Sequence, residues 1–266
     1  MNHTCSGGAD CSGELNGAVV LVTGGLGRLG LALVDAIESR GGTAVATTRD
    51  PARAEAFDSE ALRQGRRARA VVFSMDAVAD VLTLLEMVLS RFGRVTALVN
   101  NAYAACAYAP PGTATWAHWA DATRVGLAIP EALSGELVRR STQTGITAIV
   151  NVASMYGLVA PDPALYSDDS RRNPSVYGPI KAALVQMTRY HAVHWAQAGV
   201  RVNAVSPGGI FDDQEGAFLD RYNRGVPLGR MVTREEVAAV ICFLISPQSS
   251  GMIGQNVVID GGRTII

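Results

Sequence analysis

The sequence predicts an α/β fold, a doubly wound parallel sheet flanked by helices on both faces. Short apolar runs recur along the 266 residues and are separated each time by helix-length sequence. That is the rhythm of parallel strands joined by crossover helices. The runs are nearly continuous in aliphatic residues, as in Ala18-Val19-Val20-Leu21-Val22, so both faces of each strand are covered. The first run ends in Thr23-Gly24-Gly25 and opens into an amphipathic helix, the entry to a β-α-β unit.

Taken in order, residues 1–14 read as a polar, disordered tail. Residues 15–266 read as one domain, because no repeat, linker or low-complexity segment divides them. Ala18 to Val22 is the first strand, Leu29 to Ser39 the first helix, Gly41-Gly42 its stop, and Thr43 to Thr48 the second strand. Further strands are expected at Ala70 to Phe73, Ala97 to Asn100, Ile146 to Val150, Val200 to Val205 and Asn256 to Ile259. Two loops, near 156–175 and 208–230, concentrate the irregular sequence in Pro161 to Pro174 and Gly208 to Gly229. Both would leave the carboxyl ends of strands, where open α/β sheets bind ligands, and both are candidates for a substrate lid.

Composition excludes several partners. With a net charge of -1 there is no electrostatic footprint for nucleic acid, and the basic run Arg63 to Arg69 reads as a solvated helix end. Apolar stretches are interrupted well before the ~18 residues of a membrane span, and no basic segment leads into an apolar one at the N-terminus. The expected location is the cytoplasm. Cysteines at 5, 11, 106 and 242 lack C-x-x-C spacing, so neither a disulfide framework nor a metal site is expected, with His3, Cys5 and Cys11 set in the polar tail and Cys242 a small core residue.

The turn Thr23-Gly24-Gly25-Leu26-Gly27-Arg28-Leu29-Gly30 joins strand to helix, where backbone N–H groups and the helix dipole favour a pyrophosphate. Inside a β-α-β unit this is the Rossmann-type dinucleotide site. Thr23, Gly24, Gly27, Arg28, Leu29 and Gly30 are therefore candidate cofactor residues. Thr47-Thr48-Arg49 ends the second strand, with no carboxylate before Asp50. A cation there suits a 2′-phosphate, so Thr48 and Arg49, with Arg28 as a second cation, favour NADP(H). NAD(H) is the alternative, in which Arg49 faces solvent.

Tyr177 and Lys181 stand four residues apart in Ser175-Val176-Tyr177-Gly178-Pro179-Ile180-Lys181. In a helix they share a face, which would set the ammonium beside the phenol and favour its ionised form. An ordinary phenol, with a pKa near ~10, is a poor acid–base group at neutral pH without such help. By spacing alone such a pair is usually a surface ladder.

These motifs together resemble the short-chain dehydrogenase/reductase superfamily from Val19 to Gly262: the glycine turn, Asp76, Asn100-Asn101-Ala102, Ser154, Tyr177-x-x-x-Lys181 and Pro207-Gly208. The resemblance implies that Asp76 and the adjacent Ala77 meet the adenine, and that Asn100 and Ala102 line the cofactor and brace the sheet. Pro207, Gly208 and Ile210 would face the nicotinamide. Ser154 would hold the substrate oxygen, Tyr177 would exchange the proton, and Lys181 would lower the Tyr177 pKa and hold the nicotinamide ribose. Tyr103, Met155, Tyr156 and Gly209 would meet substrate. The resemblance also implies a homodimer or homotetramer paired through the apolar stripes of 116–137 and 176–195, which burial within the monomer explains equally well.

Departures from the family pattern carry information. Arg28 replaces the usual second glycine of the turn, leaving its conformational freedom to Gly27. Gly126, in Thr123-Arg124-Val125-Gly126-Leu127, stands where a fourth catalytic asparagine is usual, and Asp212 where a threonine often contacts the cofactor carboxamide. Tyr177 follows Ser154 by 23 residues, about ten more than is usual in the family, and the surplus is the segment 161–174. Its Asp162, Asp168, Asp169, Arg171 and Arg172 point to a polar or charged substrate rather than a steroid or acyl chain. With Ala153-Ser154-Met155-Tyr156-Gly157 and Pro207-Gly208-Gly209-Ile210-Phe211-Asp212, the chain is similar to the oxidoreductases of bacterial flagellin modification and nonulosonic-acid biosynthesis, a likeness that implies a sugar-like substrate. The alternatives are a reductase of small ketones or acyl intermediates and a non-catalytic NADP-binding regulatory subunit.

Overall fold

Seven parallel strands run in the order β3-β2-β1-β4-β5-β6-β7. They are β1 (Val19–Val22), β2 (Thr43–Thr48), β3 (Arg69–Val72), β4 (Ala97–Asn100), β5 (Ala148–Val152), β6 (Arg201–Pro207) and β7 (Asn256–Ile259). The chain builds outward from β1 to β3, then crosses back to place β4 on the other side of β1. That reversal opens a crevice at the carboxyl ends of β1 and β4. The structure is a computed structural model and describes residues 13–104, 110–167 and 172–266. Most of the tail with His3, Cys5 and Cys11, together with Cys106, Asp168, Asp169 and Arg171, lies outside the described residues.

Each strand buries both faces, as its unbroken apolar run requires. Val20 and Val22 point into a core shared with α1 (Arg28–Ser39), α2 (Pro51–Arg63) and α9 (Arg234–Ile245). Val19 and Leu21 point to the opposite face, against α3 (Asp80–Phe92), α5 (Ile129–Arg139) and α7 (Tyr177–Trp195). Cys242 is fully buried in the first core, and its thiol is pushed up to about 11 by that burial. The remaining helices are α4 (Trp116–Thr123), the short α6 (Ser141–Thr144) and α8 (Gly216–Arg224).

The differences from the sequence reading have local causes. Expected as Ile146 to Val150, β5 instead runs two residues further, to Val152. The buried Asn151 can sit in a strand because its side chain accepts from Asn100 Nδ2 at 2.8 Å and donates to Thr188 Oγ1 at 2.9 Å. The segment 208–229 contains α8, whose Tyr222 is only 2% exposed. The basic run is not a solvated helix end: α2 stops at Arg63, and the following residues are laced to α1. Arg66 Nε and the backbone N–H groups of Arg67 and Ala68 all donate to the Glu38 carboxylate, at 2.7, 2.7 and 2.8 Å.

Glu38 therefore answers donors that only water could otherwise satisfy. Glu38→Ala is expected to lower stability by about 1–3 kcal/mol, the cost of leaving such groups unpaired, read as an earlier midpoint in urea unfolding.

Candidate active site and dinucleotide groove

The first helix begins without a side-chain cap: Gly27 precedes it in an extended conformation and no acidic residue occupies its first turn. Its leading N–H groups thus remain open to an anion. Gly24, not Gly27, adopts the left-handed backbone, with φ of +61° against -71° for Gly27; the freedom expected of Gly27 lies three residues earlier. A side chain at Gly30 would place Cβ 2.5 Å from the Gly24 carbonyl, so the turn and helix approach closely enough to exclude any other residue.

The turn is clasped to the end of β4. Thr23 Oγ1 accepts from the N–H groups of Asn101 and Ala102, both at 3.0 Å, and Asn101 Nδ2 donates to the carbonyls of Thr23 and Gly24 at 3.0 and 3.2 Å. Gly24 N–H donates to Thr47 Oγ1 at the end of β2, at 3.1 Å. A groove of about 680 Å³ results, walled by the ends of β1 to β4. Gly24, Gly27, Arg28, Leu29, Gly30, Thr48, Arg49, Asp76, Ala102 and Tyr103 all line it. An uncapped helix start, a glycine cradle and this volume fit a dinucleotide.

Other expected cofactor residues are placed differently. Thr23 and Asn100 lie behind the wall as braces, Asn100 donating to Ser134 Oγ and Asn151 with its own Oδ1 buried and unpaired. Ala77 donates its N–H to Asp80 at the start of α3. Pro207, Gly208, Gly209 and Ile210 stand at the carboxyl end of β6, where Gly208 N–H donates to the Ile259 carbonyl at 2.8 Å and Gly209 N–H to Tyr222 Oη at 2.6 Å.

The sequence reading missed two groove cations. Arg53, one helical turn after Arg49, donates to the Leu26 carbonyl at 2.5 Å, and Arg124 donates to the Met75 carbonyl and pairs with Asp121 at 2.7 Å. Spacing from Arg49 could have found the first. Nothing local marks the second, because it arrives from a π-helical turn at Arg124–Ala128. Arg28 does not join Arg49. Its guanidinium pairs with Asp212 instead.

At the end of β5, Ser154 leads into a short 3-10 turn and accepts the Tyr156 N–H on Oγ at 3.2 Å. Its hydroxyl stands beside the Tyr177 phenol, close enough to favour the ionised form. Tyr177 opens α7, and one turn later Lys181, 4% exposed, donates to the Val152 carbonyl at 2.7 Å. The lysine therefore does not bond the phenol. Its Nζ lies 5.8 Å from the ring centroids of both Tyr177 and Tyr103. Burial pushes the Tyr177 pKa above its ordinary value and outweighs the opposing effect of Ser154, contrary to the lowering expected from Lys181. The same desolvation lowers Lys181 from 10.5 to about 8.

Aromatic rings surround the phenol. Tyr103 and Tyr156 each meet the Tyr177 ring edge-on, at 4.9 and 6.5 Å. Met155 turns away from the site into a cluster with Leu165, Tyr222, Val226 and Met231, because the 3-10 turn breaks the strand alternation. Gly126 lies in the π turn, where a Cβ would stand 2.4 Å from Ile180 Cγ2, so the space of a fourth catalytic side chain is filled by Ile180. In the segment 161–174, Asp162 caps a turn and pairs with Arg263 at 3.8 Å, Leu165 is buried, and Tyr166 packs on Phe218. The Asp162 charge is engaged in holding the loop.

The family model described as enoyl-(acyl carrier protein) reductase matches residues 27–264. The chain belongs to the short-chain dehydrogenase/reductase superfamily. It is 29% identical over 254 residues to the 7alpha-hydroxysteroid dehydrogenase of Bacteroides fragilis, covering 93% of this chain and 94% of that one. A short-chain dehydrogenase of Leptospira borgpetersenii with bound NAD+ superposes with a TM-score of 0.85 at 27% identity, covering 99% of both chains. A gluconate 5-dehydrogenase of Burkholderia cenocepacia, in complex with NADP and tartrate, superposes at 0.82 with 25% identity, covering 97% and 98%. This chain is thus an oxidoreductase of the superfamily. Among the described residues no helix is long and apolar enough to cross a membrane, and no cluster of His, Cys, Asp and Glu could hold a metal.

Burying Lys181 has a consequence for stability. Its folded pKa of about 8 lies below the ordinary 10.5, so the unfolded chain binds more protons between these values and stability rises with pH across them. The gain is complete above about 10.5 and is lost as pH falls through 8. Lys181→Met is expected to keep or raise the unfolding free energy at pH 7 and to flatten its rise above pH 8, measured by urea unfolding across a pH series. A less stable variant at pH 7 would mean that the bond to Val152 outweighs desolvation.

Proposed function

We propose that this chain is an NADP(H)-dependent oxidoreductase acting on a hydroxyl or carbonyl of a polar, sugar-like substrate through Ser154, Tyr177 and Lys181. The observation that carries the reading is the Ser154 hydroxyl beside the Tyr177 phenol, whose ring meets the groove residue Tyr103 at 4.9 Å, with a buried ammonium behind them. A nicotinamide dinucleotide, when bound, supplies hydride exchange with a substrate carbon. The chain's own groups manage the oxygen. Ser154 Oγ, fixed by the Tyr156 N–H, hydrogen-bonds it. Tyr177 delivers its phenolic proton during reduction and, once ionised, takes one back during oxidation; burial holds the protonated form. Lys181, whose ammonium lies 5.8 Å from the centre of the Tyr177 ring, steadies the phenolate that forms.

NADP(H) is favoured over NAD(H) because Arg49 lines the groove and makes no ion pair among the described residues, while Arg53 lines the same end. Asp50, the nearest carboxylate, is engaged as the cap of α2, accepting from Arg53 N–H at 3.1 Å. The sugar-like substrate draws on the ring of phenols at Tyr103, Tyr156 and Tyr166, which offer a flat face for C–H groups and a polar tip for hydroxyls. The gluconate dehydrogenase structure with tartrate and the motif likeness to flagellin-modification and nonulosonic-acid enzymes point the same way. The contact of Tyr166 with Phe218 and the hydroxysteroid relative favour a second reading, reduction of less polar ketones or acyl intermediates. Tyr190 and Val193, 60% and 76% exposed on α7, are consistent with pairing into a homodimer or homotetramer.

Tyr177→Phe is expected to keep NADPH binding, followed by nucleotide fluorescence, while turnover falls at least ~100-fold. Unchanged turnover would remove the phenol from the reaction. Arg49→Ala is expected to weaken NADPH at least ~10-fold with little effect on NADH, the loss of one charge-assisted contact. Equal losses for both nucleotides would place the 2′-phosphate elsewhere.

A further inference from the structure

Two residues that depart from the family pattern, Arg28 and Asp212, meet in the folded chain. Three inter-strand spacings, roughly 14 Å, separate β1 from β6, and the segments that follow these strands carry Arg28 and Asp212. Their side chains nevertheless form an ion pair, and the second Asp212 oxygen accepts from Arg234 Nη2 at 2.5 Å. Arg234 is the first residue of α9, which packs with α1 on one face of the sheet. One carboxylate therefore serves two guanidinium groups.

Asp212 is the fixed member of this cluster. Its side chain is 18% exposed, against 79% for Arg28. Its N–H donates to Gln214 Oε1 at 2.8 Å, and Gln214 Nε2 donates to the Ile210 carbonyl at 2.8 Å. The neighbouring Phe211 N–H is anchored on the Val232 carbonyl at 2.8 Å. Arg28, by contrast, also lines the groove beside the open start of α1 and has the reach to serve either neighbour.

We propose that Asp212 is an internal anion holding Arg28, so that the dinucleotide's diphosphate must draw Arg28 away from it. The proposal rests on the dinucleotide reading of the groove. An arriving diphosphate meets a guanidinium already engaged and a carboxylate charge close by, and both lower its affinity. Asp212 is then a tuning residue for cofactor exchange. While Asp212 holds Arg28, the guanidinium gives the diphosphate only part of its attraction, and without Asp212 it gives all of it, so the two substitutions should not add.

The test measures ADP and NADPH affinity of the full chain by calorimetry, with ADP reporting the diphosphate without the nicotinamide. Failure of the unaltered chain to bind either nucleotide would overturn the groove reading itself. Given binding, Asp212→Asn is expected to tighten both ligands by about 3- to 10-fold. Arg28→Ala is expected to weaken them about 10-fold or more in the Asp212→Asn background, where the guanidinium is free for the diphosphate, and clearly less alone. Unchanged or weaker binding by Asp212→Asn, or additive effects, overturns the proposal. Asp212→Ser serves as a second variant with the same expected direction should the amide unsettle the Gln214 contacts.

Discussion

The clasp between Thr23 and Asn101 is the interaction on which the rest of the site depends. Parallel pairing sets β1 beside β4, but the pairing ends where the strands end. Beyond that point, one threonine hydroxyl accepting two backbone N–H groups and one asparagine amide donating to two carbonyls hold the phosphate turn against the start of the next loop. Four hydrogen bonds over so few residues fix the groove floor, and Tyr103 leaves that floor to meet Tyr177. The nucleotide end and the reacting end are thereby held in one frame.

A second frame lies under the reacting groups. Asn100, Asn151 and Thr188 link β4, β5 and α7 through buried side-chain hydrogen bonds, and Lys181 ties the same helix to the carbonyl of Val152. The strand that ends at Ser154 and the helix that begins at Tyr177 are therefore joined twice before substrate is considered. Desolvation is the accompaniment of this rigidity. It raises the phenol and lowers the ammonium together, to about 8 for Lys181, so at neutral pH the site holds a protonated phenol beside a charged lysine.

Much of this was legible because it depends on short-range pattern. The glycine turn, the apolar strands and the four-residue spacing of Tyr177 and Lys181 all follow from local geometry, and the seven-stranded parallel sheet matches that reading. The electrostatic partnerships were not legible. Spacing on a helix set Lys181 toward Tyr177, but the carbonyl that captures its ammonium belongs to a strand 29 residues away in sequence. Nothing in the spacing of Arg28 announced its pairing with Asp212, which lies far along the chain. The end of β5 was hidden because Asn151 is polar, and α8 because its one deeply buried side chain, Tyr222, lies in a stretch of charge and glycine.

The insertion before Tyr177 gains a physical role from the structure. Its described part is held by Asp162 to Arg263, by the Leu165 carbonyl to Arg221 and by Tyr166 to Phe218, so it forms one wall with α8. The central claim is that one continuous surface receives the dinucleotide at α1 and presents the reacting oxygen to Ser154 and Tyr177. A crystal structure of the chain soaked with NADPH tests this most directly. The account predicts diphosphate density against the backbone N–H groups that open α1, with the nicotinamide beside the Tyr177 hydroxyl. Nucleotide density elsewhere on the molecule, or a nicotinamide turned away from Ser154 and Tyr177, would contradict it.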